Sequence, residues 1–136
     1  MATIEITSDP NRMDVATIHG FLSGTYWAQG RTREQVAQTI RHSVPFGLFL
    51  DGQQTGFLRV VSDQTVFAYL MDVFVLPEYR GNGYARRLLS HAMDDDRFTD
   101  VSTWLLKTKD AHGLYERLGF VVVPDAERYM VRTGKL

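Results

Sequence analysis

Apolar positions recur along the chain at two spacings, and these predict strands that alternate with helices. The longest apolar run, 66–76, is interrupted by a single charge at Asp72. A run of this kind indicates a central strand buried on both faces, and Pro77 ends it because proline has no N–H for a β-ladder. From 83 to 93 the apolar residues instead recur at helical spacing along one face.

The remaining segments follow the same two patterns and complete a predicted order of elements. Helices are predicted to start at Asp9-Pro10, in the capping box at 32–35, and after Asp110. Strands are predicted at 3–7, 46–50, 57–61, 66–76, 101–107, 120–123 and 127–132. The order β-α-α-β-β-β-α-β-α-β-β describes one mixed α/β sheet with helices on its faces. A length of 136 residues fits one domain, which we take as 1–136.

Composition and charge narrow the classes of function. The formal net charge is −1, so no overall field favours nucleic acid. No apolar run approaches the ~20 residues of a membrane span, and the N-terminus lacks the basic and apolar regions of a leader. The chain contains no cysteine, and its four histidines do not have metal-ligand spacing. We therefore expect a cytoplasmic protein without a metal, a nucleic-acid partner or a membrane partner.

The most specific chemistry lies in the glycine-rich turn between the long strand and the helix at 83–93. Gly81 and Gly83 let the backbone adopt positive φ and let a ligand approach closely. The unpaired N–H groups of the turn and of the first helical turn form an anion site with the helix dipole, and Arg80 adds positive charge. A P-loop ending is absent, and Arg86 stands where a dinucleotide fingerprint needs a small residue. The turn predicts a phosphate-bearing ligand, although a tight turn without a ligand would use the same glycines.

Two motifs resemble those of one enzyme family. Residues 80–85, Arg-Gly-Asn-Gly-Tyr-Ala, resemble the Gln/Arg-x-x-Gly-x-Gly/Ala motif of the GNAT superfamily, the Gcn-related N-acetyltransferases. Residues 111–120, Ala-His-Gly-Leu-Tyr-Glu-Arg-Leu-Gly-Phe, resemble its second signature, Ala-x-x-Leu-Tyr-x-x-x-Gly-Phe. The order of elements is similar over nearly the whole chain. The resemblance implies a GNAT-like mixed, mostly antiparallel sheet of about six to seven strands with four helices, splayed at the central strands.

The resemblance also implies the reaction, in which the acetyl group of acetyl-CoA passes to a primary amine by direct attack on the thioester. The pyrophosphate would lie on the N–H groups of the first motif, and the pantetheine arm would pair with the strand before it. Thr108 stands where the family often has an asparagine that hydrogen-bonds the cofactor. The implied cofactor-binding residues are Phe74, Val75, Leu76, Arg80, Gly81, Asn82, Gly83, Tyr84, Ala85 and Thr108.

Tyr115 and Asp72 are the implied catalytic residues. Tyr115 matches the family's tyrosine that commonly protonates the departing thiolate, although it also falls on an apolar helical stripe where it would simply pack. Asp72 lies on the strand from which acids of this family often serve as the base or hold the amine. A buried carboxylate needs partners, so the alternative is a structural Asp72 satisfied by neighbouring N–H groups.

The loop between the first two predicted helices usually contributes to the acceptor site of this family. Tyr26 and Trp27 would form a substrate-binding wall for an apolar or cationic amine, or they would anchor the loop by packing. Arg31 and Arg33 would bind a substrate carboxylate or remain on a solvated face. The implied acceptor is a small-molecule or protein amine, and many relatives form homodimers.

Two other functions stay open on the sequence. A CoA-binding sensor module without turnover would use the same glycine-rich turn, and Tyr115 and Asp72 would then be structural. A transferase for another acyl-CoA would differ in the space around Val75, which the sequence does not reveal.

Overall fold

The computed structural model describes residues 2–134, which form a five-stranded sheet with four α-helices. Its elements are β1 (Ile4–Thr7), α1 (Val15–Leu22), α2 (Arg33–Arg41), β2 (Val44–Leu50), β3 (Gln53–Ser62), β4 (Phe67–Val75), α3 (Tyr84–Met93), β5 (Thr103–Leu105) and α4 (His112–Glu116). The strands lie side by side in chain order, with β1 to β4 antiparallel and β5 parallel to β4. The predicted α/β class with a mixed, mostly antiparallel sheet is confirmed. None of the helices among these residues is long and apolar enough to cross a bilayer.

The first helix begins later than the sequence predicts. Asp9 caps only a short 3-10 turn, and α1 starts after Asp14, whose carboxylate accepts a hydrogen bond from the Thr17 N–H at 3.1 Å. Both aspartates fit the N-cap pattern, so local chemistry alone does not choose between them. The capping box is confirmed at α2, where Thr32 and Gln35 exchange side-chain to backbone hydrogen bonds.

The two faces of the sheet pack against different helices. On one face α3 contributes Leu88, Leu89 and Ala92, all fully buried. On the other face α1 and α2 enclose Phe57 of β3 and Phe74 of β4. Because alternate residues of a strand point to opposite faces, β3 and β4 supply side chains to both clusters. The strand predicted across 66–76 is therefore found, and it lies between two layers of helices.

The two strands predicted at 120–123 and 127–132 are not formed. The described residues there contain only a short 3-10 turn, Ala126–Arg128, and Val121 and Val122 are 77% and 73% exposed. Branched apolar residues favour a strand only where a neighbouring strand offers partners. β5 is three residues long, so it offers few backbone groups for a further ladder. The sheet has five strands instead of the expected six to seven.

Candidate active site

The glycine-rich turn leads directly into α3 and leaves the first N–H groups of that helix available. Gly81 and Gly83 have φ values of 83° and 78°, in the left-handed region that favours glycine. A Cβ added at either would meet no atom within 4 Å, so the space in front of both is open. α3 begins at Tyr84 without a side-chain cap, Ala85 follows, and the Arg87 N–H donates to the Gly83 carbonyl at 3.1 Å. The N–H groups before Arg87 have no acceptor within the helix, which suits an anion such as a diphosphate.

Two side chains of the turn fold back onto the backbone that precedes it. Arg80 Nε donates to the Val75 carbonyl at 3.0 Å, and Asn82 Nδ2 donates to the Tyr79 carbonyl at 3.0 Å. Arg80 therefore ties the turn to the last residue of β4. We call residues 80–85 the cradle, and the structure holds them together at the carboxyl end of β4.

β4 presents a free edge beside the cradle. Its parallel pairing with β5 stops after three residue pairs, and no other strand of residues 2–134 lies on that side. The Leu76 N–H donates to the Thr55 carbonyl of β3 at 2.8 Å. Because successive residues of an antiparallel strand present their N–H groups to opposite sides, the Val75 N–H faces the free edge. The side chain of Phe74 lies on the face of the sheet that α1 covers, where its ring packs on that of Phe21 with centroids 4.2 Å apart.

Asp72 lies in a β-bulge of β4. One residue of β3, Leu58, stands opposite two residues of β4, Asp72 and Val73. The φ of Asp72 is 56°, a left-handed conformation that aspartate tolerates better than most residues because its short side chain hydrogen-bonds locally. A bulge re-aims the side chain that it carries. Here it directs the Asp72 carboxylate towards the loop between α1 and α2.

The Asp72 carboxylate is buried and hydrogen-bonded through both oxygens. Only 1% of its side chain is exposed. Oδ1 accepts from Trp27 Nε1 at 3.1 Å, whereas Oδ2 accepts from Arg59 Nε at 2.7 Å and from a terminal nitrogen of Arg31 at 2.8 Å. One carboxylate therefore faces two guanidinium groups, which leaves one positive charge in excess. These bonds occupy lone pairs that a general base would need.

The loop between α1 and α2 is held against the sheet by further contacts. His19 Nε2 lies 3.0 Å from the Arg31 carbonyl oxygen, which fixes the backbone beside the guanidinium. Tyr26 is 61% exposed and meets Trp27 edge to face at 5.2 Å, and Lys109 Nζ lies 5.3 Å above the Tyr26 ring. The aromatic pair therefore has one member bonded to Asp72 and one open to solvent.

A cavity of about 310 Å³, which we call the wedge, opens where β4 and β5 separate. Trp27, Arg31 and Asp72 line it from one side, and Lys107 and Tyr115 also border it. Burial raises the pKa of Tyr115 to about 12, with no opposing hydrogen bond from residues 2–134. The phenol therefore stays protonated at ordinary pH and keeps its hydrogen as a donor.

Thr108 lies at the start of α4. Its Oγ1 accepts a hydrogen bond from the Ala111 N–H at 3.0 Å; α4 has no side-chain cap, so the cap predicted at Asp110 is not formed. Thr108 and Tyr115 border both the wedge and a larger cavity of about 540 Å³, which lies among β5, α4 and residues 119–126 and which Trp104 also lines. α4 therefore lies between two openings, and its tyrosine borders both.

Comparison with known proteins assigns the family. The model of the acetyltransferase (GNAT) domain matches residues 42–122, which is more than half of the chain and includes both the cradle and Tyr115. The chain belongs to the GNAT family. A crystal structure of a GNAT-family protein from Xanthomonas campestris pv. campestris is 41% identical to this GNAT domain, with a TM-score of 0.93 over 98% of this chain and 95% of that one.

Two relatives matched by sequence and one solved structure are more distant. An acetyltransferase predicted in Gibberella zeae is 29% identical over 104 residues, which are 62% of this chain and 59% of that protein. An uncharacterized N-acetyltransferase of Gracilaria tenuistipitata var. liui is 30% identical over 76 residues, 55% of this chain and 42% of the relative. The chain thus spans about half the length of these curated relatives. N-acetylglutamate synthase of Neisseria gonorrhoeae, solved with coenzyme A and L-arginine, shares the fold at 20% identity and a TM-score of 0.73, over 94% of this chain and 31% of that one.

The partners of Asp72 were missed by reasoning from the sequence. Arg59 stands alone among apolar residues in β3, as Asp72 does in β4, and the two strands are neighbours. A single opposite charge in each of two adjacent apolar strands is a signal for a buried cross-strand pair. Arg31 could not be found in this way, because its contact depends on the path of the loop between α1 and α2.

Proposed function

We propose that this GNAT protein is an N-acetyltransferase, in which acetyl-CoA donates its acetyl group to a primary amine that attacks the thioester directly. The observation that carries the proposal is the position of Tyr115. Its buried phenol borders the same wedge that exposes the free edge of β4, beside the cradle. An acyl carrier bound along that edge would bring its sulfur into the wedge, which the phenol borders.

Acetyl-CoA is the implied donor, and the described residues fit it. The N–H groups of Gly81 to Ala85 suit the diphosphate, and the open space in front of Gly81 and Gly83 admits it. At the free edge of β4 the Val75 N–H is open to the acyl-pantetheine arm, whereas the Leu76 N–H is bonded to Thr55 and the Phe74 ring packs on Phe21. Thr108 keeps its hydroxyl hydrogen as a donor, since Oγ1 already accepts from Ala111.

The chemistry requires two proton transfers and one developing charge. A C–N bond forms while the C–S bond breaks, the amine loses one proton to water, and the departing sulfur gains one from Tyr115, which water then reprotonates. In this proposal the Val75 N–H donates to the carbonyl oxygen as negative charge develops on it. Tyr115 donates its hydroxyl hydrogen to the sulfur. The raised pKa of Tyr115 keeps the phenol in its protonated donor form at ordinary pH.

Asp72 acts in this proposal as a positioning residue and not as the base. Of the three roles considered for it, its contacts favour the structural one, because Arg31, Arg59 and Trp27 already donate to the carboxylate. Trp27 and Tyr26 then form one side of the acceptor entrance, with the Trp27 N–H committed to Asp72. The amine enters as the neutral species.

Titration calorimetry with acetyl-CoA, followed by a thiol-release screen over an amine library, tests the proposal. Because the chain has no cysteine, every thiol detected comes from CoA. Binding with release on some amines supports the enzyme. Binding without release on any amine favours the sensor module, and absence of binding removes the cradle assignment. The homodimer, the single domain and the cytoplasmic location stay predictions from the sequence.

A further inference from the structure

We infer that the acceptor is a small amine that also carries a carboxylate, such as an amino acid, and that Arg31, held by Asp72, binds this carboxylate in the wedge. The inference rests on the proposed acetyl transfer and adds the substrate class. It starts from the cluster in which two guanidinium groups share one carboxylate.

The two arginines of this cluster differ in what they can still do. The side chain of Arg59 is 8% exposed and its Nε is bonded to Asp72, so it lies behind the carboxylate. The side chain of Arg31 is 24% exposed and borders the wedge. Only one of its terminal nitrogens donates to Asp72. Its guanidinium has five N–H donors in a planar fork that matches a carboxylate, so most of them remain for a ligand.

Asp72 supports this role by fixing Arg31 and not by neutralising the site. A free arginine side chain has many rotamers, and ordering it on binding costs free energy. Here Asp72 holds the guanidinium at 2.8 Å, and His19 lies 3.0 Å from the Arg31 carbonyl oxygen. The positive charge of Arg59 offsets the negative charge of Asp72, which leaves the positive charge of Arg31 for an incoming anion.

The surrounding charges favour an anionic group over a second cation. Lys107 also lines the wedge, and Lys109 lies over Tyr26 at its entrance, while Asp110 is the other carboxylate in the lining. The carboxylates of Asp72 and Asp110 thus lie near four positive charges, those of Lys107, Lys109, Arg31 and Arg59. A polycationic acceptor would be repelled, whereas an amino carboxylate finds a pairing group. The volume of about 310 Å³ suits a small molecule.

The test compares matched acceptors within one enzyme preparation. Thiol release is measured with an amino acid and with the amine that lacks only its carboxylate, such as phenylalanine and 2-phenylethylamine, across several such pairs. We expect kcat/KM to be higher for the carboxylate member of each pair. In Arg31→Gln the ratio of the two kcat/KM values should fall by about 10- to 100-fold, mainly because KM for the carboxylate member rises. Arg31→Lys should keep part of the preference. Arg41→Gln, at an exposed position of α2 outside the wedge lining, is the control and should keep all of it.

Each outcome bears on the inference or on the function beneath it. The ratio between two members of a pair does not depend on the folded fraction of a variant, so loss of stability in Arg31→Gln does not obscure it. Equal turnover of both members, or an equal loss for both in Arg31→Gln, overturns the carboxylate assignment while acetyl transfer stands. Absence of thiol release with every acceptor overturns the acetyl transfer, and the inference with it.

Discussion

The cradle and the wedge both adjoin β4 but are built in opposite ways, the cradle after the end of the strand and the wedge along 69–73. The cradle is one continuous segment, 80–85, and in the proposed function its backbone N–H groups and two left-handed glycines hold the ligand. The wedge gathers side chains from distant positions, among them Arg31, Asp72 and Tyr115. A backbone site tolerates changes in most neighbouring side chains, whereas a side-chain site fails when one member of its network is removed. In the proposed function the backbone site binds the acyl-CoA donor, and the side-chain site binds the acceptor.

The largest expected effect comes from Gly83→Val in the cradle. Valine strongly disfavours the φ of 78°, and its side chain would fill the open space that an anion needs. Acetyl-CoA binding should become undetectable by calorimetry. Gly52→Val is the matched control, since Gly52 has a φ of 82°, open surroundings and a place in the β2–β3 turn. Normal binding by Gly83→Val would show that the cradle is not the phosphate site.

In the wedge, Asp72→Asn should cost the most stability. Removing the carboxylate leaves Arg59 as an unpaired buried charge, and breaking such a pair costs about 3–5 kcal/mol. Urea unfolding measures the loss. The control is Glu5→Gln, which breaks the exposed Arg12–Glu5 pair and should change the free energy of unfolding little. A loss no larger than that of Glu5→Gln would mean that the cluster is not structural. Binding of acetyl-CoA to the folded fraction should survive in Asp72→Asn.

Tyr115→Phe removes only a hydroxyl and should act on the chemical step. We expect kcat to fall by about 10²-fold, the lower end of general acid catalysis, with acetyl-CoA affinity nearly unchanged. Tyr129→Phe, at an exposed position outside the wedge lining, is the control. A fully active Tyr115→Phe would leave Tyr115 as a packing residue of α4.

The smallest effect is an expected constancy with pH. The pKa of Tyr115 is raised to about 12 in the folded chain, so its donor form persists where a free tyrosine would ionise. We therefore expect no decline of kcat from Tyr115 between about pH 7 and pH 10. Because the folded pKa lies above the unfolded value of about 10, this shift stabilises the folded chain at lower pH. That stability is lost as the pH rises from about 10 towards 12. A fall in kcat near pH 9 that disappears in Tyr115→Phe would contradict this expectation.

How much the sequence predicts follows from the same contrast. The cradle, α3 and the strand before them were predicted because their chemistry is contiguous. A second contiguous motif singles out Tyr115, and the structure shows that this residue borders the wedge as well as the larger cavity. The Asp72 contacts escaped prediction because they require the register shift opposite Leu58, which no local pattern encodes. The two strands expected after Gly119 failed because strand propensity depends on an available edge, and β5 is too short to supply one.

The two tryptophans of the chain divide between the two openings that flank α4. Trp27 borders the wedge with its indole N–H on Asp72, and Trp104 lines the larger cavity. Replacing Trp104 by phenylalanine would leave one indole fluorophore, placed at the proposed acceptor entrance. Its emission would report directly whether the bond to the carboxylate persists when an acceptor arrives, and quenching titrations would then follow occupancy of that entrance without turnover. Trp27 can thus serve as an intrinsic fluorescent reporter for the proposed acceptor site.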